Sequence, residues 1–356
     1  MKRRYIAYAP NAFSTASAKT AHGVMRYSQD EVVAVFDPDH AGKRACDVVA
    51  FLSDHTTPIV GSMQDALSYG PTAFLLGTAP KGGALPTAWR HDILTAISAG
   101  LEIVSGLHDF LSDDAEFAHA ARQRGVRLWD VRAVPSVSLF SGAAYSVEQP
   151  ILLTVGNDCA VGKMSAALEL TAAGCLAGIK TRFIPTGQTG IMIAGWGIAI
   201  DRVISDFAAG AAEQLILQAA NDDTDLLIVE GQGCINHPAY AAVTTALLYG
   251  CAPDALLLVC EVLGTHIEPY PIARLNLLEL IAAYEHACTT VKLAHVIGIA
   301  LNTHGLTDTE AQEAISDARA ISHLPCDDIV RFGAAKLFEE IAPHLREKRI
   351  LEKADS

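Results

Sequence analysis

The run Leu152-Leu-Thr-Val-Gly156-Asn-Asp-Cys-Ala-Val-Gly162-Lys163-Met164-Ser165 constrains this chain more than any other stretch. An apolar β-branched run, a glycine-bounded loop and a helical pattern follow one another. That order demands a strand whose carboxyl end opens into a helix N-terminus, which is the unit of a parallel α/β sheet. In such a P-loop, successive backbone N–H groups and the helix N-terminus surround a phosphate, and the Lys163 ammonium adds a charge. Gly156, Asn157, Asp158, Cys159, Ala160, Val161, Gly162, Lys163, Met164 and Ser165 are therefore the expected cofactor-binding residues. Five residues separate the two glycines where four are usual. The position after the lysine, where Ser or Thr normally ligates Mg²⁺, is Met164. A thioether is a poor ligand for a hard cation, and Ser165 would replace it only if the helix were rotated. No bound metal is expected, and phosphate binding is expected without one.

The same alternation of strand and helix runs through the rest of the chain. Before residue 147, candidate strands are Tyr5–Ala9, Val32–Phe36, Ala73–Leu76, Leu101–Ser105 and Arg127–Val131, with amphipathic segments Ala88–Ser98 and Asp113–Arg124 between them. This predicts a Rossmann-like layout with right-handed crossovers. Its turns Pro10–Thr20, Asp37–Lys43 and Gly77–Gly83 follow strands, where ligands of open sheets sit. Without Gly-x-Gly-x-x-Gly after the first strand, a dinucleotide role is weakly supported, and Asp37 reads as a turn residue before a ribose ligand. The pattern breaks at Ser141–Pro150, so the boundary is placed to give a Rossmann-like domain over 1–147 and a P-loop NTPase-like parallel-sheet domain over 148–356. In the second half the expected elements are Ile151–Val155, a helix Gly162–Ala177, Thr181–Ile184, a helix over Asp201–Ala219, Leu226–Val229, Leu256–Val259, Val296–Leu301 and a helix Ala334–Glu347; the tail Glu352–Ser356 is expected to fray.

Composition narrows the partners. A chain of 356 residues with 51% hydrophobic and 19% charged side chains is globular and suits two cores. A net charge of −14 offers no basic field to nucleic acid or anionic lipid. Pro10 and Asn11 interrupt the early apolar run, and no segment nears the ~20 apolar residues of a membrane span. The eight cysteines form no Cys-x-x-Cys pair and suit a reduced, cytoplasmic setting. Apolar helical faces make a homo-oligomer the expected state.

Chemistry is concentrated in two further stretches. Asp225-Leu-Leu-Ile-Val-Glu230-Gly231-Gln232-Gly233 is an apolar strand ending in a carboxylate, with Glu230 expected to face the phosphate site as a metal ligand or as a base toward an amine. Cys234-Ile-Asn236-His237-Pro238-Ala-Tyr240 follows at once, and His237 suits proton transfer near neutral pH. Cys159 and Cys234 have no activating partner visible in sequence and read as small hydrophobes before nucleophiles. Ile184-Pro-Thr186-Gly187-Gln188-Thr189-Gly190 reads as a loop running into Ala194-Gly195-Trp196-Gly197; Thr186, Gln188 and Thr189, with Gln232, are expected to contact substrate. Arg202 is the first choice to clamp a substrate carboxylate, ahead of Arg274 and Arg331. Asn302-Thr303 reads either an adenine edge or a turn cap. On these patterns alone an ATP- and Mg²⁺-dependent ligase and a non-catalytic nucleotide-binding regulator both stand.

With those residues in view, the second half resembles the dethiobiotin synthetase-like branch of P-loop proteins, through Asp158 with Gly162-Lys163, Gln188-Thr189-Gly190 and Val229-Glu230-Gly231. The whole chain is similar to a bacterial family catalogued as a domain of unknown function, in which a Rossmann-like domain precedes a P-loop domain. The matching stretches are Leu75–Gly83, Ile103–His108, Gly156–Lys163, Pro185–Gly197 and Val229–Tyr240. That family includes D-glutamate N-acetyltransferases. The resemblance implies transfer of acetyl from acetyl-CoA to the amine of an acidic amino acid, with Gly156–Lys163 on the CoA phosphates, Arg202 on the carboxylate, and Glu230 or His237 removing the ammonium proton. A P-loop holds CoA phosphates without Mg²⁺, which accommodates Met164.

Overall fold

The computed structural model describes residues 2–78, 80–221 and 223–354. Two compact units are present, Met1–Ala133 with Gln188–Trp196, and Val134–Gly187 with Gly197–Ser356. Ala79, within the expected Gly77–Gly83 turn, lies outside the described residues.

In the first unit, β1 (Arg4–Tyr8), β2 (Glu31–Phe36), β3 (Ile59–Val60), β4 (Ala73–Leu76), β5 (Glu102–Ser105) and β6 (Leu128–Asp130) form one parallel sheet ordered β3-β2-β1-β4-β5-β6. The order reverses between β1 and β4, as in doubly wound sheets. Successive side chains of β1 feed opposite faces. Ile6 and Tyr8 join Phe74, Leu76, Ile93, Ile97 and Phe117 on one side, while Ala7 packs with Val35, Ala21 and Met25 on the other. The Asp37 carboxylate after β2 is buried and turned inward, accepting from Asn11 N at 2.8 Å and lying 2.8 Å from His40 Nδ1. It organises the turn.

In the second unit, β7 (Ile151–Gly156), β8 (Thr181–Ile184), β9 (Leu226–Val229), β10 (Ala255–Glu261), β11 (His295–Asn302) and β12 (Cys326–Asp327) form a parallel sheet ordered β12-β11-β10-β7-β9-β8. Every residue of β7 and β9 is buried, as expected for strands covered by helices on both faces. β7 lies between β10 and β9, so the loop that leaves Gly156 opens at the middle of the carboxyl edge. The helix Lys163–Leu176 follows it.

Packing divides the chain at Ala133/Val134, earlier than the compositional break at 147/148. Glu213, buried in helix Ser205–Ala219, accepts hydrogen bonds from Ser141 N at 2.7 Å, Ser141 Oγ at 2.9 Å and Ala144 N at 3.1 Å, which ties residues 141–144 to the second unit. The open loop expected through Gln188-Thr189-Gly190 is instead a helix, Gln188–Ala194, closed by Gly195 at φ 76°. This segment belongs to the first unit, where the Thr189 and Thr20 hydroxyls meet at 3.1 Å. Burial of Thr189, Ile191 and Met192 overrides the loop-like composition. Likewise the helix expected from Asp201 begins at Ser205, after a separate turn Ile200–Arg202. The last helix runs Ala335–Ala354; of the tail expected to fray, Asp355 and Ser356 lie outside the described residues. Among the described residues, no helix is long and apolar enough to cross a membrane.

Candidate active site

The loop 156–162 is pinned by three strands and one helix. Asn157 Nδ2 donates to Glu261 O at 3.0 Å and its Oδ1 accepts from Glu261 N at 3.1 Å, fastening the loop to β10. Asn302 at the end of β11 donates to Val161 O at 3.1 Å. That amide caps the loop. Ala160 (φ 57°) and Gly162 (φ 112°) both take left-handed backbone, and Gly162 turns the chain into the helix at Lys163. Met164 and Ser165 occupy the first helical turn.

Lys163 is buried, and its Nζ donates to the loop carbonyl of Asp158 at 2.6 Å. Burial lowers its pKa, against the opposing pull of Cys159, Cys234, Asp158 and Glu230. Its stem crosses the ends of β7 and β9, which approach so closely that a Cβ on Gly231 would lie 1.7 Å from Thr154 O and 3.2 Å from Lys163 Cδ. Gly231 N donates to Thr154 Oγ1 at 2.8 Å across the same contact.

Glu230, at the end of β9, is 4% exposed. Its Oε2 accepts from Thr186 N at 2.9 Å and Gly187 N at 3.1 Å. Burial pushes the carboxyl up to about 7; the Thr186 and Gly187 N–H groups and Lys163 pull the other way, while Asp201 adds to the rise. Thr186 Oγ1 donates to Glu230 O at 2.6 Å and accepts from Gln232 Nε2 at 3.2 Å. Thr186, Glu230 and Gln232 thus form one polar group. Arg202 stands exposed at the end of the turn Ile200–Arg202, and Gln188 and Thr189 lie in the first unit.

Asp158, at the loop tip and 1% exposed, is held by several donors. Oδ1 accepts from Cys159 N at 2.7 Å, and Oδ2 from Arg274 Nη2 at 2.9 Å and Glu268 N at 3.2 Å. Arg274 Nη2 also reaches Glu261 at 2.9 Å. The weaker clamp candidate Arg274 is therefore part of the loop's scaffold, as Arg331 is part of another, donating to Thr303 Oγ1 at 3.1 Å and Leu306 O at 3.0 Å.

His237 is buried beside Asp158. Its Nδ1 accepts from Ala239 N at 3.1 Å and Tyr240 N at 3.2 Å, so the neutral ring carries its hydrogen on Nε2. Nε2 has no hydrogen-bond partner and lies 3.9 Å from Asp158 Oδ1. Asp158, Cys159 and His237 offer donor atoms within 4.8 Å of one another, close enough for a cation. Ligation through Nε2 would require the hydrogen to move to Nδ1, where two backbone N–H groups already point. The ring as held is a donor toward this space. Cys234 donates to Asn236 Oδ1 at 2.9 Å, and burial raises its pKa, which disfavours a thiolate.

Tyr284, Arg274 and Glu261 are the site residues that sequence reading passed over or ranked low. Tyr284 lies in helix Leu277–Cys288 among apolar neighbours, and only its phenol in an otherwise core-like face marked it.

The description "Domain of unknown function (DUF1611_C) P-loop domain" matches residues 138–338, and "Domain of unknown function (DUF1611_N) Rossmann-like domain" matches residues 38–134. A D-glutamate N-acetyltransferase of Tritonibacter scottomollicae is 34% identical over 340 residues, covering 95% of this chain and 98% of the relative. Another of that name, from Pseudoalteromonas sp, is 38% identical over 278 residues, covering 76% and 82%. The crystal structure of a DUF1611 family protein from Anabaena variabilis ATCC 29413 superposes with a TM-score of 0.91 at 37% identity, covering 96% of this chain and 100% of that one.

Proposed function

Because the chain belongs to the DUF1611 family, with its Rossmann-like and P-loop domains in order, we propose that it is an N-acetyltransferase that moves acetyl from acetyl-CoA to the amine of D-glutamate or a closely related acidic amino acid. The observation that carries this reading is the likeness to a D-glutamate N-acetyltransferase over 95% of the chain. The site chemistry supports it. The backbone N–H groups of 156–163 and the Lys163 ammonium suit the phosphates of CoA, and Met164, where Ser or Thr would ligate Mg²⁺, fits a phosphate bound without the metal. Glu230, with its carboxyl near 7, suits removal of an ammonium proton at neutral pH. Thr186 and Gln232 beside it suit the substrate's polar groups, and Arg202 suits its carboxylate.

An acidic strand end beside a P-loop lysine also suits an ATP- and Mg²⁺-dependent ligase, and Glu230 is the residue that favours that second reading. Calorimetry separates the two. Acetyl-CoA binding that is lost in Lys163→Ala, followed by thiol release on adding D-glutamate, is the expected result. Tight Mg²⁺-ATP binding with no response to acetyl-CoA would replace the acetyltransferase with the ligase.

A further inference from the structure

We infer that the adenosine end of the phosphate ligand lies against Leu263 and Phe332, on the surface built by the loops that leave β10, β11 and β12. The inference deepens the acetyltransferase reading and rests on it for the identity of the cofactor; the adenosine itself is common to CoA and ATP.

β7 stands between two differently made halves of the sheet edge. On the β9 and β8 side is the polar group of Thr186, Glu230 and Gln232, whose hydroxyl, carboxylate and amide bond to one another and to backbone. On the other side, the loops after β10 and β12 leave Val262, Leu263 and Phe332 exposed by 37, 46 and 40%. A single exposed apolar side chain is ordinary. These three lie beyond the carboxyl ends of strands, where open parallel sheets take their ligands, and one network ties them to the P-loop.

Val262 N donates to Asn302 O at 3.1 Å, and the Asn302 amide holds Val161 O. Arg274 Nη1 donates to Leu263 O at 2.7 Å, while its Nη2 holds Asp158 at the loop tip. Leu263 also rests on the turn after β11, since a Cβ on Gly305 would lie 3.0 Å from Leu263 Cδ1. From the far side, Arg331 donates to Thr303 Oγ1 at 3.1 Å and Leu306 O at 3.0 Å, and its guanidinium carbon stands 5.5 Å from the centre of the Phe332 ring. Three loops thus make one surface, with the P-loop along its near border.

Reach and chemistry both fit a purine. Neighbouring strands lie about 4.8 Å apart, so β11, two strands from β7, ends about 10 Å to the side of the phosphate loop. A ribose and purine extending from a 5′-phosphate cover that span. A purine presents broad faces that pack on aliphatic side chains and stack on aromatic rings or guanidinium planes. Leu263 supplies the first, and Phe332 with Arg331 the second. The side of Thr186, Glu230 and Gln232 offers hydrogen-bonding groups in place of such a face.

The test is calorimetry on wild type, Leu263→Ser and Phe332→Ala with acetyl-CoA, with adenosine 3′,5′-bisphosphate and with inorganic pyrophosphate. Each variant is expected to bind acetyl-CoA and the bisphosphate about 10-fold more weakly, the scale of one base-stacking contact, and to hold pyrophosphate as wild type does. Unchanged affinity for the bisphosphate in both variants would overturn the inference. An equal loss of pyrophosphate would do so too, by placing the effect in the phosphate loop. If wild type takes Mg²⁺-ATP and no acetyl-CoA, the acetyltransferase reading falls, and the same variants judge the base surface with ATP. Independently of variant folding, wild type with methyl-labelled leucine and valine should show nuclear Overhauser contacts from adenine H2 or H8 of acetyl-CoA to the Leu263 methyls. Contacts instead to Tyr240, the exposed ring on the β9 side, would overturn the assignment.

Discussion

The phenol of Tyr284 donates to the carbonyl of Gly156 at 2.7 Å and accepts from Gly156 N at 3.2 Å, and its oxygen also accepts from Ile235 N at 3.1 Å. One buried hydroxyl thus joins the first residue of the P-loop to the segment that carries His237. Tyr284→Phe preserves the packing and strands the Gly156 carbonyl and two N–H groups. Unpaired buried polar groups cost about 1–3 kcal/mol each, and some relaxation is expected, so the loss of unfolding free energy should be about 2–4 kcal/mol in urea titration. Acetyl-CoA binding should weaken as well. A variant as stable as wild type would mean that these groups find other partners.

Glu230 is placed to set the pH dependence of turnover. Burial holds its carboxyl near 7, and a base works only when deprotonated. The plot of kcat/KM is therefore expected to rise with pH through about 7 and level above it. Glu230→Gln should lose about 10²-fold or more in kcat and lose that limb of the profile. A Glu230→Gln enzyme with the wild-type profile would assign the base elsewhere.

The same carboxyl makes stability depend on pH with a definite sign. Its ordinary value is 4.5, so between 4.5 and about 7 the folded chain holds a proton that the unfolded chain has released. The folded state then binds more protons, and stability falls as pH rises across that window. Above it the loss is complete, on the order of 3 kcal/mol. Glu230→Gln, which carries no charge at any pH, should match or trail wild type near pH 4 and gain on it steadily toward pH 7.5. Parallel stability curves for the two proteins would contradict the buried, raised carboxyl.

How much of this was legible in the sequence depends on how far each feature extends along the chain. Ala73–Leu76 and Leu226–Val229 have the bounds their apolar runs suggest, because each is a buried parallel strand with no alternation to blur its ends. β3 and β12 are two residues each, too short for any period to appear. Gln188–Ala194 looks like a loop because glycine and threonine are weak helix signals, and burial in the first unit favours the helix. The P-loop is contiguous, so strand, glycines and lysine could be read together. Its supports could not: Arg274 is 116 residues from Asp158, and Tyr284 is 128 from Gly156. The tautomer of His237 was equally hidden, since it follows from a turn geometry that brings two N–H groups onto one nitrogen.

Two glycines of the site should respond differently to alanine. Gly231 has no room: a Cβ there would meet the Thr154 carbonyl oxygen at 1.7 Å, and that oxygen belongs to the central strand β7. Relief requires separating β7 from β9, which also displaces Lys163 and the Gly231 N–H bond to Thr154. Gly231→Ala is expected to cost more than about 3 kcal/mol, beyond the usual range of point substitutions. Gly162 has open space around its Cβ position but a φ of 112°. Gly162→Ala therefore meets only backbone strain, about 1–3 kcal/mol, which the loop relieves by turning its N–H groups away from the phosphate position. Denaturant titration should rank Gly231→Ala as the less stable. Gly162→Ala should remain folded and lose affinity for acetyl-CoA by calorimetry. Equal stability of the two variants would show that β7 and β9 have more freedom to part than their close approach at Gly231 implies.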